Sequence, residues 1–341
     1  MSMKAEIIKW KGWDVIELTA GTYTAVIAPS LGSNIVRMQD SATGVDFFRN
    51  DDTRTPEEID QERVTWGFPT LYLPNRLADG VLKCSDYTYQ FPINEPEGHN
   101  YMHGFLHERQ HEIVSAETTA TAAVAKTSYT YDEKDPMFET FPVSFRADFT
   151  FTLDASGMHY EFTMTNLSSD RQLPFGVCNH TAMKAPFVEG SDGMDARLYV
   201  PIGEKWELGR NCCPTLDMIP HGNHDRQYIT GSMIPVKQII DNDVFNTAIG
   251  DLDGREFRGA VVTDLTSKAE IVYEVCDDFL FWVIWNDHGE KGYFCPEPMT
   301  WMINAPNLPI PAEESGYCEI APGESKTVTE RLYARMQKVN A

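Results

Sequence analysis

The segment His107-Glu108-Arg109-Gln110-His111 reads H-E-x-x-H. On a helix this spacing stacks two imidazoles on one face, where they can hold a zinc ion, and the glutamate between them can activate a metal-bound water. The neighbouring residues argue against that chemistry. Residues 112–131 are rich in β-branched and hydroxyl side chains. FLHERQHEIV alternates Phe105, His107, Arg109, His111 and Ile113 against Leu106, Glu108, Gln110, Glu112 and Val114. On a strand, the two rings stand about 13 Å apart at roughly 3.3 Å per residue. That is too wide for one zinc with bonds near 2 Å. The motif is expected to be surface strand, with no metal.

Four other stretches set polar groups among turn residues. WGFPTLYLPNRLADG carries Asn75 and Arg76. EPEGHNYMHGF carries His99 and His103. LPFGVCNHTAMKAPF carries Asn179 and His180 just after an apolar strand. GYFCPEPMTWMINAPN carries Glu297 between Pro296 and Pro298, with Tyr293, Phe294 and Trp301 close by. Each proline fixes its own φ and biases the residue before it toward extended geometry, so the backbone is restrained on both sides of Glu297. A carboxyl in apolar surroundings has a raised pKa and becomes a usable base near neutrality. Each stretch also has a bland reading: a Pro-rich loop at a sandwich end, a satisfied core histidine, an ion pair for Arg76, a solvated loop charge for Glu297.

The elements that must position these groups are strands. In FRADFTFTL, Phe145, Ala147, Phe149, Phe151 and Leu153 face one way and Arg146, Asp148, Thr150 and Thr152 the other. DASG makes a turn, and MHYEFTMTN alternates again. This is a hairpin with one dry and one wet face. TYTAVIA from Thr22, AEIVYEV from Ala269, FLFWVIW from Phe279 and KTVTERLYA near the end are further strands. The one clear helix signal is TPEEIDQER from Thr55, with Thr at the N-cap position and Pro at the first helical position. Many strands, turn residues between them and little helix predict an all-β fold: a large antiparallel β-sandwich with few short helices, in one domain over residues 1–341.

With 341 residues the chain can bury a large core. Its formal charge of −23 argues against nucleic acid and anionic membrane as partners, which would both repel it. No run is long and apolar enough for a signal peptide or a membrane-spanning helix. The seven cysteines include no C-x-x-C pair. Reduced thiols and a cytoplasmic location are the expectation, with a monomer or homodimer as the assembly.

Taken in order, N-R in PNRLADG, H-G in YMHGF, N-H in PFGVCNH and the glutamate of PEPMTWMINAPN resemble the aldose 1-epimerase family, the galactose mutarotases. IAPSLGSNIVRM resembles the family's early strand, so the resemblance covers nearly the whole chain. It implies a large β-sandwich, no metal, no cofactor and a small-molecule sugar as partner. It implies His180 as general acid and Glu297 as general base. Arg76 and His103, with Asn75 beside them, are implied to hold the sugar. A sugar-binding aspartate is implied in IIDNDVF, with Asp243 preferred over Asp241. The segment after the H-G is implied to be a strand leaving the site, which makes H-E-x-x-H a coincidence. TAMKAP after His180, and Trp301 with Met302, depart from the usual pattern and leave the sugar open.

The implied reaction interconverts the α and β anomers of a neutral aldose by acid–base ring opening and closure, with the carboxylate and imidazole on opposite sides of the sugar. Two alternatives stand beside it. A hexose-phosphate epimerase would need several Arg or Lys around the phosphate, and these stretches supply only Arg76. A non-catalytic sugar-binding protein on the same fold would not need both His180 and Glu297.

Overall fold

The computed structural model describes residues 3–51 and 53–337. The hairpin forms as its alternation dictates. Phe145–Asp154 pairs with Gly157–Asn166 in antiparallel register, Phe149 opposite Phe162 and Asp154 opposite Gly157, and its apolar face is fully buried. The other expected strands also form, as Tyr23–Ala28, Ala269–Val275, Phe281–Trp285 and Ser325–Met336. The helix Pro56–Gln61 starts with a reciprocal capping box between Thr55 and Glu58. Two further helices, Asn223–Thr230 and Ala312–Ser315, were not expected. The first begins at Gly222, whose N–H donates to Asp225 Oδ2, and stops at Gly231 in the left-handed region.

The strands build three larger antiparallel sheets. Met3–Trp10, Trp13–Ala20, Tyr23–Ala28, Asn34–Asp40 and Val45–Asp46 form an N-terminal meander. An eight-stranded sheet contains the hairpin, and the C-terminal strand Ser325–Met336 lies between Gly157–Asn166 and Ala269–Val275. The third sheet, also of eight strands, runs Pro214–Ile219, Ile202–Leu208, Asp243–Thr247, Phe281–Trp285, Tyr293–Met299, Cys178–Asn179 and Thr70–Leu71, with Met183–Lys184 also paired to Tyr293–Met299. This sheet and the one that holds the hairpin face each other across aromatic residues. Tyr273 meets Trp282 edge-on at 6.0 Å, Phe68 lies between Tyr160 and Tyr273, and Tyr72 packs on Phe145. One buried cluster extends from Ile16 to Leu332 through all three sheets. This is a mostly antiparallel β architecture, and no helix among the described residues is long and apolar enough to cross a membrane.

A polar chain crosses the dry space between the two facing sheets. Tyr160 and Thr70 share a hydrogen bond, and Thr70 Oγ1 donates to Asn179 Oδ1. Asn179 Nδ2 and the Tyr273 hydroxyl both donate to Glu330, a carboxyl 4% exposed. Burial pushes Glu330 up to about 8 despite those donors.

The H-E-x-x-H segment departs from its expected strand. Leu106–Glu108 is a single 3-10 turn, and the strand begins only at Glu112. His107 and His111 are buried, not on the surface. The Pro29–Asn34 region covers them: His111 N–H donates to Pro29 O, and its ring bonds Ser33 Oγ through Nδ1 and Leu106 O through Nε2. Both ring nitrogens of His111 are thus committed within the protein. Short alternating runs do not encode such cover.

The raised pKa of Glu330 has a consequence for stability. Its ordinary value is 4.5. Below that the carboxyl is neutral folded and unfolded. As pH rises toward about 8 only the unfolded chain ionises, so stability is lost. Glu330→Gln keeps the shape and removes the titration. Its melting temperature should fall less steeply than the wild type's between pH 5 and 8, measured by thermal scans across that range.

Candidate active site

Pro296 and Pro298 do not lie in a loop. They belong to Tyr293–Met299, an interior strand of the third sheet, paired on one side with Phe281–Trp285. Proline in such a strand removes ladder donors and is normally confined to edges. Here the loss is localised. Met299 O accepts from Leu280 N, so the odd-numbered residues bond the Phe281–Trp285 side and the prolines face the other way.

On that other side, Cys178 pairs with Met299 and Met183 with Phe294, in one continuous register. Counting inward from either pair places His180 opposite Glu297. Asn179 and Thr181 face the two prolines and find no N–H there. Instead Thr181 N–H donates to Asn179 O, and the Thr181 hydroxyl donates to Pro296 O. His180 and Ala182 bond outward, to Pro69 O and Gly67 O. The chain therefore puckers between Cys178 and Met183, with His180 projecting beside Glu297. Alternation sends Asn179 the opposite way, into the inter-sheet chain.

His180 Nε2 lies 3.3 Å from Glu297 Oε1, and both residues are buried, 5% and 2% exposed. Burial pushes Glu297 up to about 8, against the lowering effects of Arg76 and the Cys178 thiol at 3.8 Å. Burial pushes His180 down to about 4. Both shifts favour neutral side chains, so near neutral pH the pair holds one proton, on Glu297.

His103 meets His180 edge-on at 5.5 Å, and burial holds it well below the ordinary imidazole range. Its main chain is tied to the N-R segment by a bond from His103 N–H to Asn75 O. Arg76 gives its Nε and Nη2 to Glu95 at 2.8–3.0 Å and its Nη1 to Asn75 Oδ1 at 3.1 Å. A guanidinium has five N–H donors, so one on Nη1 and one on Nη2 remain. Burial opposes ionisation of Glu95, yet the bonds from Arg76 and Asn100 and the Arg76 charge together outweigh it and hold Glu95 below the usual carboxylate range. Asn75, Arg76, His103, His180 and Glu297 thus converge.

Asp243 does not join them. In the cross-strand register Glu297 lies opposite Val283, which lies opposite Val244. Asp243 is one residue out of phase and points to the opposite face. There it bonds Lys205, His224 and Tyr228 beneath the helix Asn223–Thr230. Asp241 is exposed and bonds its neighbour Asn242. His99 is exposed and pairs with Asp79. Trp301 is buried, stacked on Tyr317. Two neighbours of the convergent group went unrecognised in the sequence. Glu95 sits in the same E-P-E-G stretch as His99, and an arginine entering an apolar strand needed a counterion. Trp285 lies edge-on to His180 at 5.9 Å, and only its alternation with Val283 and Phe281 could have indicated its face.

His103 is followed by Gly104, also in the left-handed region (φ of 68° and 62°). A Cβ on Gly104 would lie 2.0 Å from Leu73 N and Tyr72 O, both main-chain atoms. Gly104→Ala should therefore cost at least about 2 kcal/mol, from left-handed strain plus overpacking, and displace His103. Chemical denaturation and the His103 imidazole signals in NMR are the measurements.

The sequence pattern of the aldose 1-epimerase family matches residues 14–333. A galactose mutarotase-like protein from Clostridium acetobutylicum is 30% identical, and its structure matches with a TM-score of 0.94 over 98% of this chain and 99% of that one. Galactose 1-epimerase from Lactobacillus acidophilus shares the fold, at a TM-score of 0.72, 15% identity and coverage of 99% and 100%. The chromosomal LacX protein of Lactococcus lactis subsp. lactis is 22% identical over 248 residues, 72% of this chain and 78% of that protein. With a family match over almost its full length and the galactose mutarotase-like fold, the chain belongs to the aldose 1-epimerase family.

Proposed function

We propose that the protein is a mutarotase for a neutral aldose, with Glu297 as base and His180 as acid. The observation that carries this reading is the 3.3 Å contact between a buried imidazole and a buried carboxyl. The anomeric hydroxyl and the ring oxygen hang from the same carbon. Two groups side by side can therefore reach both, and the pair need not straddle the sugar. Side-by-side placement replaces the opposite-sides arrangement expected at first.

When the anomeric hydroxyl donates to Glu297, and with Arg76 close by, the ionised carboxylate is favoured and its proton moves to His180. Glu297 then removes the proton of the anomeric hydroxyl while His180 protonates the ring oxygen. The C1–O5 bond breaks and the C1 carbonyl forms. Ring opening returns the proton to Glu297 and leaves His180 neutral, the resting state of the pair. Rotation about C1–C2 and the reverse transfers close the other anomer. The two spare N–H groups of Arg76, with His103 and Asn75, hold the sugar and the open aldehyde.

A neutral sugar fits better than a phosphorylated one. Arg76 is already neutralised by Glu95. In the cleft lined by Arg49, Lys184 and Lys291, Arg49 pairs with Glu62, Arg54 with Glu62 and Glu58, Lys184 with Asp46 and Lys291 with Asp287. Asp243 is left out of the sugar site in this reading. The continuous core supports one domain.

Two outcomes test the proposal. Below about 4 the pair is doubly protonated and lacks a base, and above about 8 it lacks a proton to give. The kcat/KM profile for anomer interconversion should be bell-shaped, with its limbs near those values. Glu297→Gln and His180→Asn should each lower kcat by about 10²- to 10⁴-fold, with little change in sugar binding. Arg76→Ala should raise KM as well. The assay is polarimetry or NMR of freshly dissolved α-anomers over a panel of aldoses. Near-normal kcat in folded Glu297→Gln would sink the mechanism, whereas no anomer interconversion by the wild type on any aldose of the panel would favour a non-catalytic sugar binder.

A further inference from the structure

We propose that Cys295 joins His180 and Glu297 to form an inhibitory site for a borderline-soft divalent cation, zinc above all. The binding site stands on geometry alone; the inhibition rests on the acid–base roles proposed above.

Cys295 precedes Glu297 by two residues on the same strand, so both side chains face the same way. Opposite Cys295 in the register stands Ala182, which brings only a methyl group. One ligand atom each from His180, Cys295 and Glu297 lies within 4.8 Å of the other two, and all three residues are buried. The His180 Nε2 to Glu297 Oε1 distance of 3.3 Å already matches the edge of a tetrahedron around a metal with bonds of about 2.0–2.1 Å. The Cys295 thiol has no hydrogen-bond partner among the described residues, so coordination breaks no bond it makes. Nitrogen, sulfur and carboxylate oxygen are the donor set of zinc, with a fourth position left for water.

Two features make this an inhibitory site and not the seat of a resident metal. Zinc would occupy the His180 lone pair and a Glu297 oxygen, leaving neither acid nor base for ring opening. Among the described residues His180 Nδ1 has no hydrogen-bond partner, whereas a metal-binding histidine is normally oriented by one. Binding must expel the thiol proton and the proton shared by the pair, so affinity should rise with pH.

The test uses Co²⁺ and Zn²⁺ on the intact protein. Co²⁺ should bind with one equivalent and give a thiolate-to-cobalt charge-transfer band, which Zn²⁺ abolishes by displacement. Cys295→Ser should remove the band. It should also weaken Zn²⁺ binding by at least the ~10- to 100-fold that loss of an outer-shell partner costs. Zn²⁺ should block anomer interconversion, reversibly on adding a chelator, and in Cys295→Ser only at correspondingly higher concentration. Absence of the band overturns the site, and so does its persistence in Cys295→Ser, since one of the six other thiols would then be responsible. A Cys295-dependent band without inhibition of an active enzyme keeps the site and overturns the acid–base assignment. A protein with no mutarotase activity that still gives the band separates failure of the proposed function from failure of the site.

Discussion

Two missing hydrogens organise this molecule. Pro296 and Pro298 cannot donate to the chain beside them, so the ladder between Cys178–Asn179 and Met183–Lys184 is interrupted for a few residues while its register continues. Two local bonds replace ladder bonds there: the Thr181 N–H turns to Asn179 O, and Pro296 O accepts from the Thr181 hydroxyl. The sheet thus carries a seam in its interior. His180 and Glu297 sit opposite each other at that seam, where side chains of a pair without ladder bonds approach closely. A constraint of covalent chemistry in one strand thus sets the spacing of two side chains in different strands.

The charges around the seam follow one rule. The chain carries a formal charge of −23, yet the groups buried at its centre carry little net charge. Arg76 is matched by Glu95, and the imidazole and carboxyl at the seam are both driven toward neutrality by burial. Burying a lone charge is expensive, and buried groups either pair or give up their charge. The same rule places Lys205 between Asp225 and Asp243 on the far side of the sheet. An aspartate that the family resemblance assigned to the sugar is there a counterion under a helix.

Local patterns were legible and tertiary ones were not. Phe145 to Leu153 announce a half-buried strand because period-two alternation has one cause, and Thr55 with Glu58 announces a helix start through a bond four residues long. The prolines around Glu297 could be read as a restraint, since φ belongs to the residue. That they sit in an interior strand depended on partners more than a hundred positions away. Glu95 was hidden for the same reason: its role is defined by Arg76, and nothing within its own stretch favours it over Glu97. His107 and His111 alternate like surface residues, yet a loop from Pro29 to Asn34 folds over them. Asp243 lies a single residue out of phase with the convergent group, which on a strand is the whole difference between two faces.

Asn179 has a wider effect than its one bond to Glu330 suggests. It shares a short segment with His180, and through Glu330 and Tyr273 it ties that segment to the middle of the opposite sheet. The segment cannot breathe away from its partner without exposing a dry polar chain that spans the core. Its main-chain amides should therefore be among the slowest to exchange with solvent. Loops above the seam can move on their own timescale. The backbone that sets the spacing of the two facing side chains is thus anchored by the packing of one sheet on the other.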